Sequence, residues 1–272
     1  MSTSGRPASS DESLIVPGRF RGPALSGNGG WSAGALAALV DHGCPDNHAD
    51  RWPAIAVTLR QPPPLDTPMA VTHVDGETLA SYDGAVVARA RLVEGDGPVT
   101  VDAVPADEAR AAMAAYPGLA DHPFPTCFSC GTAREEGDGL RIFPGRVADQ
   151  DGAVRVASLW RPHPSVAEDW HTYAEPDVTE QVSHASLPVT WAALDCVGAW
   201  AGDLTERPLV LGTMTAQVDT LPVIGEEHVV VGLARGTEGR KTFTASALYD
   251  ADGRVVARAE HVWITVDPAA FN

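Results

Sequence analysis

Two carboxylates follow or interrupt apolar runs where a buried charge is costly: Asp41, after GWSAGALAALV, and Asp195, within SLPVTWAALDCVGAW. With Leu194 before it and Cys196 and Val197 after it, Asp195 is placed to be partly desolvated, which raises a carboxyl pKa and suits a general base. A second feature is the GNGG run from Gly27 to Gly30. Glycines at a helix start leave backbone N–H groups unobstructed at the positive end of the helix dipole, where a developing oxyanion is stabilised. If helices beginning near Gly30 and Ser186 pack antiparallel, Asp195 faces Gly29, Gly30 and Trp31, and Asp41 faces the turn from Ala185 to Leu187. The first pocket is the better equipped, because Asn28 adds a side-chain donor.

Other reactive residue types read more plainly. Cysteines occur at 44, 127, 130 and 196, too few for a disulfide framework in a chain of this length, so a reducing cytoplasm is expected. Cys127 and Cys130 form CFSCG, half of a zinc knuckle whose second pair is missing unless His122, His163 or His171 completes it through the fold. The expectation is two ordinary thiols in a turn with Gly131, with no metal and no cofactor. The DNHAD run from Asp46 to Asp50 reads as a solvated loop, and His184, beside Ser183 and Ser186, as part of a capping loop. Arg134, Arg141 and Arg146 offer a phosphate clamp, but pairing with Glu135, Glu136 and Asp138 is the preferred reading. Trp31, Trp191 and Trp200 read as core, with Trp31 at a helix start also positioned to shape a substrate pocket.

The elements that must position these residues occur twice. VVARA appears at Val86 to Ala90 and at Val255 to Ala259, after SYDG and LYDADG respectively. Upstream, Val57 to Thr67 corresponds to Ala216 to Gly225, and helix candidates at Gly30 to His42 and Ser186 to Trp200 precede both. Each copy reads as one helix followed by three or four strands. Hairpins are expected over 76–93 and 241–266 around Asp83-Gly84 and Asp252-Gly253, with further strands over 228–235 and 154–160. A connecting helix is expected from Ala106 to Tyr116, ended by Pro117-Gly118. The division is a disordered tail at 1–13, one unit at 14–94, a turn-rich connector with CFSCG at 95–153 and a second unit at 154–272. A 44% hydrophobic chain of 272 residues has core enough for both. The net charge of −17 argues against a nucleic-acid partner, and neither a membrane span nor a signal peptide is visible.

One helix wrapped by a curved antiparallel sheet, present twice, resembles the hotdog fold in its double form, an α+β architecture. In small hotdog thioesterases an acidic residue follows the second glycine of a His-Gly-Gly turn by seven positions, as Asp41 follows Gly34 and Asp195 follows Pro188; Ser32 and Ala33 stand where His-Gly would fall. The chain also resembles the type II acyl-CoA thioesterases, which implies Asp195 as a catalytic residue, Thr213 (or Thr215) as its threonine partner, and His261 where that family has glutamine. The resemblance implies hydrolysis of an acyl-CoA or related thioester, with Asp195, Asp41, Thr213 and His261 as catalytic candidates and Asn28, Gly29, Gly30 and Trp31 at the substrate. The same scaffold would also serve an enoyl-thioester hydratase or a non-catalytic binder of acyl-CoA or another hydrophobic small molecule, and under each of the three readings a homodimer is a possible assembly.

Overall fold

The computed structural model describes residues 12–42, 52–167 and 182–267. Cys44, the DNHAD run and His171 lie outside the described residues. Eleven strands form one sheet in the order β1-β3-β4-β5-β2-β8-β11-β10-β9-β7-β6. The strands are β1 Ser13–Leu14, β2 Ile55–Leu59, β3 Met69–Val74, β4 Glu77–Tyr82, β5 Ala85–Leu92, β6 Gly145–Gln150, β7 Ala153–Trp160, β8 Leu209–Val218, β9 His228–Glu238, β10 Lys241–Tyr249 and β11 Val255–Thr265. The helices are α1 Gly29–Ala37, α2 Ala106–Ala112 and α3 Leu187–Ala201.

The centre of the sheet is the antiparallel pair β2 and β8, with Ile55 opposite Ala216 and Thr58 opposite Thr213. Outward from this seam the order is β2-β5-β4-β3 on one side and β8-β11-β10-β9 on the other. Each side thus places its strands in the same chain order, and each is preceded by a helix. The two VVARA runs open β5 and β11, which flank the two seam strands. Local chemistry fixes both expected hairpins. Asp83 and Gly84 take φ of 50° and 75°, the double left-handed conformation of a two-residue hairpin turn, which asparagine, aspartate and glycine tolerate best. At the second, Asp250 Oδ1 accepts from the amides of Asp252 and Arg254.

Both helix starts are capped by short polar side chains. Asn28 Oδ1 accepts from Trp31 N at 2.8 Å and Ser186 Oγ from Val189 N at 3.3 Å, each satisfying an otherwise unpaired first-turn amide. The second helix follows the expected bounds closely, whereas the first stops at Ala37. Its last turn tightens, with Leu39 N donating to Leu36 O and Val40 N to Ala37 O.

Most buried side chains form one core around α1, α3 and the sheet face they cover. A smaller cluster, including Val104, Ala109, Val231 and Ala247, lies under α2. The expected connector is therefore partly sheet and packing: β6 pairs with β7 at the sheet edge, and α2 packs on β6, β7 and β9. Its CFSCG turn docks on α3, where Ser129 Oγ donates to Ala192 O at 2.8 Å. At the chain start, Ser13 and Leu14 pair with β3, inside the segment expected in part as a tail.

Candidate active site

The helices α1 and α3 approach so closely that side chains are excluded at two points. A Cβ on Gly30 would lie 2.4 Å from Asp195 Cβ and 2.8 Å from Trp191 O; one on Gly34 would lie 2.7 Å from Trp191 Cβ and 2.8 Å from Pro188 Cα. As α1 advances from 30 to 34, its contacts on α3 retreat from Asp195 to Pro188, so the helices run antiparallel. Glycine four residues apart on one helix face is what permits backbone contact of this kind.

This approach brings the carboxylate of α3 to the first turn of α1. Asp195 is 2% exposed, and its Oδ2 accepts from Gly30 N and from Asn28 Nδ2, both at 3.0 Å. Its Oδ1 is buried with no hydrogen-bond partner among the described residues. Burial pushes the carboxyl up to about 7, against the downward pull of the Gly30 amide and Asn28. Asn28 thereby serves two elements: Oδ1 caps α1 and Nδ2 binds Asp195.

The carboxylate opens onto a cavity of about 270 Å³. Its walls come from the 22–29 segment, from Leu59 to Pro63 at the end of β2, from Leu209 to Gly212 of β8, and from Trp263 and Ile264 of β11. Phe124, Leu204 and Ala199 add to an apolar lining, and Arg60, exposed, is the cation among the lining residues. Of the helix-start amides, Gly30 N is taken by Asp195 and Trp31 N by Asn28 Oδ1, while Gly29 lines the cavity.

Three thiols stand on the same wall. Cys127 and Cys130 come from the CFSCG turn and Cys196 from α3 beside Asp195; all are buried and their sulfurs lie within 4.8 Å of one another. The sulfurs of Cys127 and Cys196 are 3.5 Å apart. Hydrogen bonding from Cys130 and Cys196 holds the Cys127 thiol well below its ordinary range, while burial pushes Cys130 up and hydrogen bonding to Cys127 pushes Cys196 up. His122, expected as a possible fourth ligand, has both ring nitrogens engaged: Nδ1 accepts from Phe124 N, so Nε2 carries the proton and donates to Cys130 O. His163 Nδ1 accepts from Ser165 N in a separate capping turn.

The remaining candidates are not brought to this cavity. Asp41 is exposed, beyond the end of a helix that stops at Ala37. Thr213 lies opposite Thr58 at the seam, its Oγ1 3.2 Å from Thr58 Oγ1. Both Thr213 and Thr215 border a separate depression with Glu260 and His261. The cause is a bulge: Val262 pairs with Thr213 but Trp263 pairs with Leu211, skipping Gly212. Leu211 and Trp263 therefore line the cavity while Thr213 does not. His261 is buried under α3, where a Cβ on Gly198 would lie 2.8 Å from its Nδ1. Burial pushes its pKa down to about 3, and its Nδ1 meets Thr244 Oγ1 at 3.2 Å.

Trp31 is core, stacked on Phe20 with ring centroids 4.3 Å apart. His184 forms a bridge with Val223 before α3. Arg134 binds Asp138 at 2.8 Å and the carbonyls of Thr126 and Arg19, stapling the CFSCG turn to the chain start. Arg146 pairs with Asp149, and Arg141 donates to the Arg134 carbonyl. These contacts agree with a structural rather than a phosphate-clamping set. What the sequence reading missed is the convergence of the three thiols on Asp195; the adjacency of Cys196 to Asp195 was its one visible sign.

No family model and no curated protein matches the chain. Solved structures do. A hot dog fold protein from Alicyclobacillus acidocaldarius superposes with a TM-score of 0.56 at 15% identity, over 94% of this chain and 92% of the other. The tesB protein of Mycobacterium avium subspecies paratuberculosis gives 0.53 at 11% identity, over 90% and 89%. An acyl-CoA thioesterase II, TesB2 from Mycobacterium marinum, gives 0.50 at 13%, over 87% and 86%. At such identities the likeness is one of fold, and the fold of this chain is the hotdog fold.

Proposed function

We propose that the chain is a double hotdog arisen by internal duplication and that it hydrolyses an acyl thioester, with an acyl-CoA as the substrate class. The duplication is supported by the identical outward strand order on both sides of the β2/β8 seam and by the VVARA run recurring in the strand next to the seam on each side. The hydrolytic reading is carried by one observation: the buried Asp195 carboxylate is clamped through Oδ2 to the first turn of the other helix, while Oδ1 has no partner among the described residues and the residue lines an apolar cavity.

In this reading Asp195 acts as general base. Oδ1 takes a proton from a water that attacks the thioester carbonyl carbon; the carbon–sulfur bond then breaks, and the thiolate leaves and is protonated. Gly29 at the start of α1 supplies the backbone N–H for the oxyanion, and Asn28 and Gly30 hold the carboxylate in line. The apolar walls suit the acyl chain, and Arg60 suits an anionic part of the substrate. Thr213, His261, Asp41 and Trp31 have no part in this chemistry. The working compartment proposed is a reducing cytoplasm, where buried thiols stay reduced.

The test is a panel of acyl-CoA substrates of graded chain length, followed by thiol release. Turnover of one or more, with the others discriminated by length, is the expected outcome. Tight binding of acyl-CoA with no thiol release from any member would overturn hydrolysis in favour of a binder. A change in enoyl absorbance without thiol release would favour the hydratase.

A further inference from the structure

The three buried thiols are better built for a metal ion than for a core. We propose that Cys127, Cys130 and Cys196 bind a Zn²⁺ ion whose fourth position faces the Asp195 cavity. Tetrahedral zinc holds sulfur at about 2.3 Å, which separates ligand sulfurs by about 3.8 Å. The observed sulfurs lie within 4.8 Å of one another, those of Cys127 and Cys196 at 3.5 Å, so sub-ångström shifts would close the set around an ion.

The surroundings are those of a thiolate site. Cys127 and Cys130 sit in a tight turn closed by Gly131 N donating to Cys127 O. A Cβ at 131 would lie 2.4 Å from that same carbonyl oxygen, so the CxxCG turn needs its glycine. The turn is anchored from outside, because Tyr116 Oη and His122 Nε2 both donate to Cys130 O. Asn28 Nδ2 lies 3.6 Å from Cys127 Sγ and 3.9 Å from Cys196 Sγ, an outer donor of the type that stabilises metal-bound thiolates. With both nitrogens of His122 occupied, no imidazole closes the fourth position among the described residues.

Beside the sulfurs, Asp195 is a buried carboxylate lining the same cavity as all three cysteines: Cys196 Sγ lies 3.9 Å from its Oδ2, and its Oδ1 has no partner among the described residues. A solvent molecule at the fourth position of the ion would lie beside that carboxylate. Three thiolates with a neighbouring carboxylate that is not itself a ligand form a donor set known for activating a zinc-bound water. Binding replaces the thiol protons with the ion and releases them to solvent, with no change of oxidation state.

The site does not depend on the thioester reading, and the test keeps the two apart. Protein purified without chelator is assayed for metal by mass spectrometry, and reduced, metal-free wild type is titrated with Co²⁺. Expected are about one zinc per chain and the thiolate-to-cobalt charge-transfer and d–d bands of a tetrahedral sulfur-rich site. Cys127→Ser, Cys130→Ser and Cys196→Ser should each lose the ion, while Cys44→Ser retains it. Because a serine variant that misfolds would also lose metal, circular dichroism of each variant accompanies the assay. Absence of zinc from the purified protein together with a featureless Co²⁺ titration of folded, reduced wild type would overturn the site. So would retention of the ion by well-folded Cys127→Ser and Cys196→Ser. Metal binding without thioester turnover leaves the site standing and sinks the hydrolase; turnover by metal-free protein with no Co²⁺ bands does the reverse.

Discussion

The helices α1 and α3 occupy matching places on the two sides of the seam, yet only one delivers a carboxylate to the other. α3 runs for 15 residues and carries Asp195 at its ninth, where the first turn of α1 lies against it. α1 runs for 9 residues and ends before Asp41, leaving that side chain exposed. Matching strands and matching helix starts are thus compatible with a single working pocket. What separates the halves is helix length: a carboxylate inside an antiparallel contact is desolvated, and one past the helix end is hydrated.

Asp195→Asn sets the widest expected gap between the halves. It keeps the acceptor oxygen needed by Gly30 N and Asn28 Nδ2 and removes the base, so kcat/KM for the best acyl-CoA should fall about 10³-fold. Stability should hold or rise, because a buried carboxyl with a raised pKa is lost. Asp41→Asn should leave kcat/KM within about twofold. Equal losses from both would mean that the exposed aspartate also serves a pocket, and the one-pocket reading would fail.

Next in size is the helix contact itself. Gly30→Ala drives a methyl onto Asp195 Cβ and the Trp191 carbonyl, atoms on rigid helical stems, and should cost about 3 kcal/mol in denaturant unfolding while also reducing turnover. Gly198→Ala, where α3 packs on the sheet, meets the Thr244 and His261 side chains at 2.7 and 2.8 Å. Those can yield by rotation, so the expected cost is about half as large. A Gly30→Ala protein of wild-type stability would show that the helices are not in backbone contact.

Much of this arrangement was legible in the sequence. Helix starts, hairpin turns and the facing of Asp195 onto Gly30 followed from caps, Asp-Gly pairs and the assumption of antiparallel helices, because each is fixed by a few neighbouring residues. The end of α1 was not legible: its alanine and leucine continue through Val40 without a glycine or proline stop, and the tightened last turn is a tertiary effect. The turning of Thr213 away from the cavity was equally hidden, since one bulge at Gly212 reverses the facing of the β8 residues beyond it; His261 keeps the face of Trp263 and is taken up instead by packing against Gly198 of α3. The thiol cluster needed the CFSCG turn to fold back over α3, a contact between segments more than 60 residues apart.

His261, in the contact of α3 with the sheet, gives a test by pH. Its folded pKa, pushed down to about 3 by burial, lies below the ordinary 6.5, so the unfolded chain binds the proton more readily. Stability from this group is complete above pH 6.5 and falls as pH drops towards 3, by about 2 kcal/mol between pH 7 and pH 5. His122, His184 and His228 are shifted the same way, so the measurement is a difference: His261→Gln should flatten the slope by that amount while leaving kcat/KM within about threefold. A collapse in turnover with the slope unchanged would move His261 from the core to the chemistry.

The smallest effect belongs to the seam. Thr213→Val removes a hydroxyl that meets Thr58 Oγ1 at 3.2 Å in a half-buried position, where water can replace the lost partner, so unfolding free energy should change by less than about 1 kcal/mol. The bulge at Gly212 turns Thr213 away from the cavity, and kcat/KM should stay within about twofold. Leu211→Ala, one residue before the bulge, changes the cavity wall instead and should alter KM and chain-length preference. A Thr213→Val loss in kcat with KM unchanged would mean that the strand turns this residue inward when substrate binds, and the seam would have to be counted as part of the site.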